Sequence, residues 1–186
     1  MNTLTIIGLV GKKSTGKDTI FTMLSAKHPC ITRYAFADAV KEELAAACVT
    51  TVDAIEKKKD LYRPALQWWG TEFRQHIMGD RDYWVRKLLN KINRDTNNGR
   101  QVCAVITDVR FQHEAYAIHQ LGGVLVKVIN DTPNKDTHAS EVEVDSINTD
   151  HAISNTGTLD DLQTKVNYLY DTYICRRIGG VPTTSK

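Results

Sequence analysis

No run of basic residues in these 186 positions is longer than the triplet Lys57-Lys58-Lys59, and the net charge is only +2. A nucleic-acid surface calls for a basic stripe, so nucleic acid is not expected as a partner. Long hydrophobic runs are missing too, and nothing reaches the roughly 20 apolar residues that cross a bilayer. The apolar stretch from Leu4 to Val10 has no basic region before it and runs straight into a glycine-rich loop, so it reads as a strand and not as a signal peptide. Cysteine is sparse: Cys30, Cys48, Cys103 and Cys175 are widely spaced, and two of them sit inside apolar runs. Reduced thiols in a cytoplasmic protein are the simplest account. There is no internal repeat and no linker to split the chain. What remains is 41% hydrophobic and 25% charged, enough to bury the core of one domain.

That domain alternates strands with helices, the pattern of a parallel sheet covered on both faces. Strands are expected at Thr3 to Val10, Ile31 to Phe36, Val102 to Thr107, Gly123 to Ile129 and Ala152 to Ser154. Helices are expected at Lys17 to Lys27, Asp38 to Cys48 (with Val40, Leu44 and Cys48 on one face), Phe111 to Leu121 and Leu159 to Cys175. From Val52 to Arg94 the period stays helical, with a break near Gly79 and Asp80. The expected fold is α/β, three layers around a central parallel sheet of about five strands. It forms a single domain over 1–178, and the tail 179–186 reads as disordered.

The loop Gly11-Lys-Lys-Ser-Thr-Gly16-Lys17-Asp18-Thr19 carries the chemistry. Two glycines five apart let the backbone curl around an oxyanion, the amides through Lys13, Ser14 and Thr15 point inward, and Lys17 reaches the β- and γ-phosphates of a nucleoside triphosphate. A hydroxyl that holds Mg²⁺ ordinarily follows the lysine directly. Here Asp18 takes that place and Thr19 comes one position late, a spacing seen in small-molecule kinases more than in switches or motors. Asp18 also suits a first helical turn on electrostatic grounds alone.

Ligands of such a sheet gather at the carboxyl ends of its strands. Asp108, followed by Arg110, stands there either as a Mg²⁺ holder or as the cap of the helix from Phe111. Asp38 either reaches the metal or acceptor or caps its own helix. Phosphoryl transfer needs cations around the γ-phosphoryl and its acceptor, and the candidates are Lys41, Arg63, Arg74, Arg81, Arg86 and Arg110. An acceptor that is itself a phosphate is already ionised at neutral pH, so no general base is required. The three tryptophans fall between Leu61 and Leu89. At least one of Trp68 and Trp69 belongs to the core, and the other lines an acceptor pocket.

The Gly-Lys-Asp-Thr loop, Phe36-Ala-Asp-Ala-Val-Lys41-Glu-Glu-Leu44, Leu66-Gln-Trp-Trp-Gly70-Thr71-Glu-Phe-Arg74, Trp84-Val, Thr107-Asp-Val-Arg110-Phe-Gln-His-Glu114, His138-Ala-Ser140-Glu141 and Ile153-Ser-Asn155-Thr-Gly157-Thr-Leu159 occur in that order. Together they resemble the bacteriophage-type deoxynucleoside monophosphate kinases, from about Thr3 to Tyr170. The resemblance implies transfer of a phosphoryl group from ATP, with Mg²⁺ held by Asp18, Thr19 or Asp108, to a deoxynucleoside 5′-monophosphate. It implies an acceptor segment near 38–94 with Phe36, Ala37, Asp38, Lys41, Trp69, Gly70, Arg74, Trp84, Arg110, Glu114 and Glu141 around the acceptor. Lys17, Asp108, Arg74 and Arg110 carry the catalysis on this reading, and Asn155 and Gly157 lie beside the adenine. A lid-like segment at 131–150 holds six acids and only Lys135 as a base, so it cannot supply cations. His138 and Glu141 there hold the acceptor or only order the loop. The implied partners are small nucleotides, in the cytoplasm, without a membrane, and a homodimer is allowed for. The runner-up resemblance is an animal-type phosphomevalonate kinase, and a non-catalytic ATP-binding module is the alternative of a different class.

Overall fold

A computed structural model describes residues 4–97, 102–131, 138–180 and 182–183. They fall into two compact units, Met1–Tyr34 with Ile92–Lys186, and Ala35–Lys91.

The first unit is built on five parallel strands in the order β2-β3-β1-β4-β5: β1 Thr5–Val10, β2 Ile31–Tyr34, β3 Cys103–Val109, β4 Val124–Ile129 and β5 His151–Ser154. The central strand β1 is buried along its whole length, which is why it reads as an unbroken apolar run. Register sets Ile7 beside Val105 and Val124. Helices α1 (Lys17–Ser25), α6 (Gln112–Gln120), α7 (Ala139–Val142) and α8 (Leu159–Leu169) belong to this unit. Ile20 and Leu24 of α1 and Leu162, Val166 and Leu169 of α8 pack on Leu9, Val126 and Val128. A side chain at Gly8 would meet Leu125 Cδ2 at 2.7 Å and Ile118 Cδ1 at 2.9 Å, so glycine lets α6 lie close on the sheet. Helix α8 is closed by a reciprocal cap, Thr158 Oγ1 accepting from Asp161 N–H and Asp161 Oδ2 from Thr158 N–H. It continues into a π-helical turn, Tyr170–Cys175. Beyond Gly179, the Thr183 amide and hydroxyl both donate to Asp171, each at 2.8 Å.

The second unit is helical: α2 Phe36–Ala47, α3 Val52–Lys57, α4 Lys59–Gln67 and a π-helix, Trp68–Ile77, followed by the start of α5, Tyr83–Asn97. The break expected near Gly79 is present, with Gly79 at φ +67°. Leu44, Ala45 and Ile55 form its core, with Leu66 and Trp69 against them. Cys48 departs from the expected apolar face and is exposed, because α2 ends at Ala47.

The parallel sheet brings all strand carboxyl ends to one edge. Chain order reverses around β1, whose neighbours are β3 and β4. The crevice at such a reversal is where open α/β sheets hold ligands, and the loop after β1 lies there.

Candidate active site

The glycine loop runs from the end of β1 into α1 through two left-handed residues, Ser14 at φ +64° and Gly16 at φ +99°. Any side chain at Gly16 would collide with Asn155 Nδ2, and one at Gly11 would come within 2.7 Å of the Val128 carbonyl. Glycine is therefore demanded by backbone and by neighbours alike. Two asparagines hold the turn from outside. Asn155 Nδ2 donates to the Thr15 carbonyl at 3.0 Å, and Asn130 Nδ2 to the Ser14 carbonyl at 2.9 Å. Thr15 Oγ1 closes it from within, donating to Lys12 O at 3.0 Å.

Lys17 is 8% exposed and its ammonium donates to Gly11 O at 2.7 Å and Lys12 O at 2.6 Å. Burial and the nearby Arg110 guanidinium pull its pKa down to about 8, while Asp108 and Asp18 oppose the fall. Lys17, Asp18, Asp108 and Arg110 thus share one electrostatic neighbourhood. Asp108 lies within β3, and the residue capping α6 is Phe111, so the capping role considered for Asp108 does not hold. The tie at that helix end comes instead from Glu114, whose Oε2 accepts from Arg110 N–H at 2.8 Å and Phe111 N–H at 3.1 Å. Glu114 is fully buried, and desolvation together with Asp108 raises its pKa to about 8 despite those two amides.

The acidic segment after β4 meets this neighbourhood with its carboxylates. Glu141, 3% exposed, accepts from Lys13 N–H at 3.0 Å and forms an ion pair with Arg110. Glu143 accepts from Gln112 N–H at 2.8 Å, and Asp145 pairs with Lys12 at 2.6 Å. Ordering the loop and holding the acceptor were both weighed for Glu141, and these contacts are of the first kind. Lys135 and Asp136 lie outside the described residues.

In the second unit the expected acceptor residues sort into two groups. Ala35 caps α2, which leaves Asp38 in the first turn and not at the cap, half-buried, 3.5 Å from Lys41 Nζ. Lys41, 7% exposed, also pairs with Glu56. Phe36 is buried and Ala37 half-buried. The other group converges on Glu43. Its carboxylate accepts from Trp69 Nε1 at 3.1 Å, from Arg74 Nη2 at 2.7 Å and from the Tyr83 hydroxyl, and it pairs with Lys87 at 3.3 Å. Burial works against its charge, but these four donors prevail and bring its pKa down to about 2. The Arg74 guanidinium stacks over the Tyr83 ring at 4.3 Å. Trp84 is 2% exposed and spends its indole N–H on Gly70 O at 2.7 Å, so its part is to fix Gly70 from the core. Trp68 is the exposed member of its pair.

The sequence reading missed Glu43, Tyr83, Asn130 and Asp145. Asn130 carried a signal, since it follows β4 at the carboxyl edge of the sheet. Glu43 stood inside a quoted motif but faces its partners only through a helix geometry that periodicity does not reveal.

Asp18, Thr19 and Asp108 offer hard oxygen donors, the set Mg²⁺ favours. Among the described residues no group of three or more Asp, Glu, His or Cys could hold a metal. The glycine cradle and the buried lysine fit the phosphates themselves.

A five-stranded parallel sheet with a Gly-Lys-Asp-Thr loop at the carboxyl end of its central strand, and an acid and an arginine at the end of the next, defines a phosphate-loop kinase fold. Two solved structures share it: a provisionally named kinase of Chloroflexus aurantiacus (TM-score 0.51, 12% identity, 91% of this chain and 95% of that one) and the Thermus thermophilus protein TT1252 (TM-score 0.50, 14% identity, 89% and 95%). In sequence, the chain is 31% identical over 194 residues to a protein of Acanthamoeba polyphaga mimivirus with the provisional name deoxynucleotide monophosphate kinase, covering 88% of this chain and 94% of the relative. The family model for deoxynucleotide monophosphate kinase matches residues 54–166. The chain belongs to that family and is a nucleotide-binding kinase.

Proposed function

We propose that the protein transfers the γ-phosphoryl group of ATP to a deoxynucleoside 5′-monophosphate, yielding the diphosphate and ADP. The observation that carries the reading is the neighbourhood of buried Lys17, Asp108 and Arg110 on the glycine loop, in a chain of this family. An oxygen of the acceptor phosphate attacks the γ-phosphorus in line, and the bond to the β–γ bridging oxygen breaks. The acceptor needs no base, since the second pKa of a phosphate is about 6. Loop amides and Lys17 hold the β- and γ-phosphates, and Lys17 meets the charge that builds on the transferred group. Asp108, with Asp18 or Thr19, would hold Mg²⁺, which would supply neutralising charge at the phosphates. Arg110 of the first unit serves the acceptor phosphate; in the second unit Arg74 is assigned to that phosphate, and Trp69 and Phe36 to the nucleoside. Asn155 acts through the loop it braces, and it lies with Gly157 beside the ATP adenine.

The test is ADP release with ATP and Mg²⁺ against dAMP, dCMP, dGMP, dTMP and phosphomevalonate separately. Turnover with one or more deoxynucleotides is expected. Turnover with phosphomevalonate alone, or ATP binding without any turnover, would refute the reading.

A further inference from the structure

Glu43 carries four donors on two carboxylate oxygens, as many as its lone pairs accommodate. They come from two directions. Trp69 and Arg74 stand on the π-helix, Tyr83 and Lys87 on α5. Trp69 and Arg74 are five residues apart, a spacing that puts side chains on different faces of an α-helix. The i→i+5 bonding of the π-helix, visible in the bond from Met78 N–H to Phe73 O at 2.9 Å, sets them over one another. Trp68 stacks on Phe73 by the same offset at 5.2 Å. The π-helix and Glu43 are therefore parts of one arrangement.

Its product is a guanidinium with few freedoms left. The face of Arg74 lies over Tyr83 at 4.3 Å, and Phe73 and Trp69 flank it at 5.5 and 5.8 Å. One Nη is bonded to Glu43. The Nε is buried and has no hydrogen-bond partner among the described residues. A buried donor without an acceptor is costly, and in native proteins it marks a functional role, a water or an ion. Charge points the same way, because two cations, Arg74 and Lys87, face a single carboxylate and leave a positive surplus. An anion with several acceptor oxygens matches a cation that Glu43 holds through one Nη and that stays partly exposed.

We propose that Glu43 is a positioning residue: it locks Arg74 in the rotamer that receives the acceptor's phosphate, and so sets affinity for the acceptor nucleotide and not for ATP. The inference rests on the kinase reading above. Tyr83 shares the task by fixing the second carboxylate oxygen and by supplying the face on which Arg74 lies.

Steady-state kinetics separate this role from a merely structural one. Glu43→Gln keeps an acceptor oxygen but loses the charge, and it is expected to raise the KM for the deoxynucleotide on the order of tenfold while the KM for ATP stays within about twofold. Glu43→Asp is expected to recover part of the loss. Added to Arg74→Ala, Glu43→Gln is expected to raise the acceptor KM no further, since its effect passes through Arg74. Tyr83→Phe, which removes one hydroxyl, is expected to move the acceptor KM in the same direction by less, and it serves if Glu43→Gln does not fold. An unchanged acceptor KM in folded Glu43→Gln or Tyr83→Phe overturns the inference, as do losses that add to those of Arg74→Ala or fall equally on ATP. Those outcomes leave the kinase reading standing. No turnover by the unaltered chain with any of the four deoxynucleotides overturns both.

Discussion

Burial and charge pull the proton of Lys17 in opposite directions, and the balance lies close to physiological pH. Its ordinary pKa is 10.5 and its value in the fold about 8. Between those two pH values the unfolded chain holds a proton that the folded chain has released, so this group makes stability rise with pH from about 8 to 10.5. Below pH 8 the buried ammonium costs about 3 kcal/mol of stability. Triphosphate oxygens around Lys17 would restore the charged form. Binding at pH 8.5 is therefore expected to take up protons, measurable as a binding enthalpy that varies with the ionisation enthalpy of the buffer. Lys17→Met should abolish that variation, and an enthalpy independent of buffer in the unaltered protein would contradict the argument. Lys17→Ala is expected to lose most of kcat, since the cation is needed most where charge builds in the transition state.

Individual elements show how local chemistry was redirected by neighbours. The loop is a case of consistency, since Gly16 satisfies a left-handed backbone, a close neighbour and a helix start at once. Its shape also depends on Asn155, which the motif places near the nucleotide but whose amide is bonded to Thr15 O. Asn155→Ala is expected to weaken triphosphate binding several-fold, about 1 kcal/mol for one lost hydrogen bond, with little change in acceptor KM. Binding titrations with the two nucleotides check this. The described part of the acidic segment meets the loop with carboxylates. Glu141, Glu143 and Asp145 land on Lys13 N–H with Arg110, on Gln112 N–H and on Lys12. Glu141→Gln should cost about 2 kcal/mol of stability, because it strips the buried partner from a partly exposed Arg110. A urea midpoint unchanged by that substitution would show the pair to be energetically idle.

Across the whole molecule, two carboxylates give stability opposite slopes with pH. Glu43, pushed down to about 2, contributes stability that is present above its ordinary 4.5 and lost as the pH falls toward 2. Glu114, pushed up to about 8, contributes stability that is present below 4.5 and lost as the pH rises through 8, because the fold must then bury its charge or give up folding energy. Urea unfolding of Glu114→Gln beside the unaltered protein is the direct check. The amide oxygen still accepts from Arg110 and Phe111, so the variant should gain stability relative to the parent between pH 5 and pH 9. A constant difference across that range would mean that Glu114 is ionised in the fold already at pH 5.

The strands, the phosphate loop and the family resemblance were legible because each is written locally. A strand buried on both faces must be apolar without interruption, and a phosphate cradle must have glycine at its two turns. The five-strand sheet followed, and with it the place of Asp108 and Arg110 at a carboxyl edge. The strand order β2-β3-β1-β4-β5 was decided by tertiary structure, since any one of several crossovers satisfies the same apolar runs. So were the partners of Arg110 and Lys12, which are Glu141 and Asp145. Asp38 proved non-capping because α2 begins two residues early, at Phe36, and Asp108 because β3 runs on to Val109, shifts that local propensity does not resolve. Arg74 and Trp69 meet on Glu43 through a π-helix, whose five-residue offset a 3.6-residue period does not reveal. The chain's local chemistry thus determined which groups are present and where the nucleotide phosphates bind. Only long-range packing decided which carboxylate answers which cation, because such pairs lie far apart in sequence and are chosen by distance in the fold.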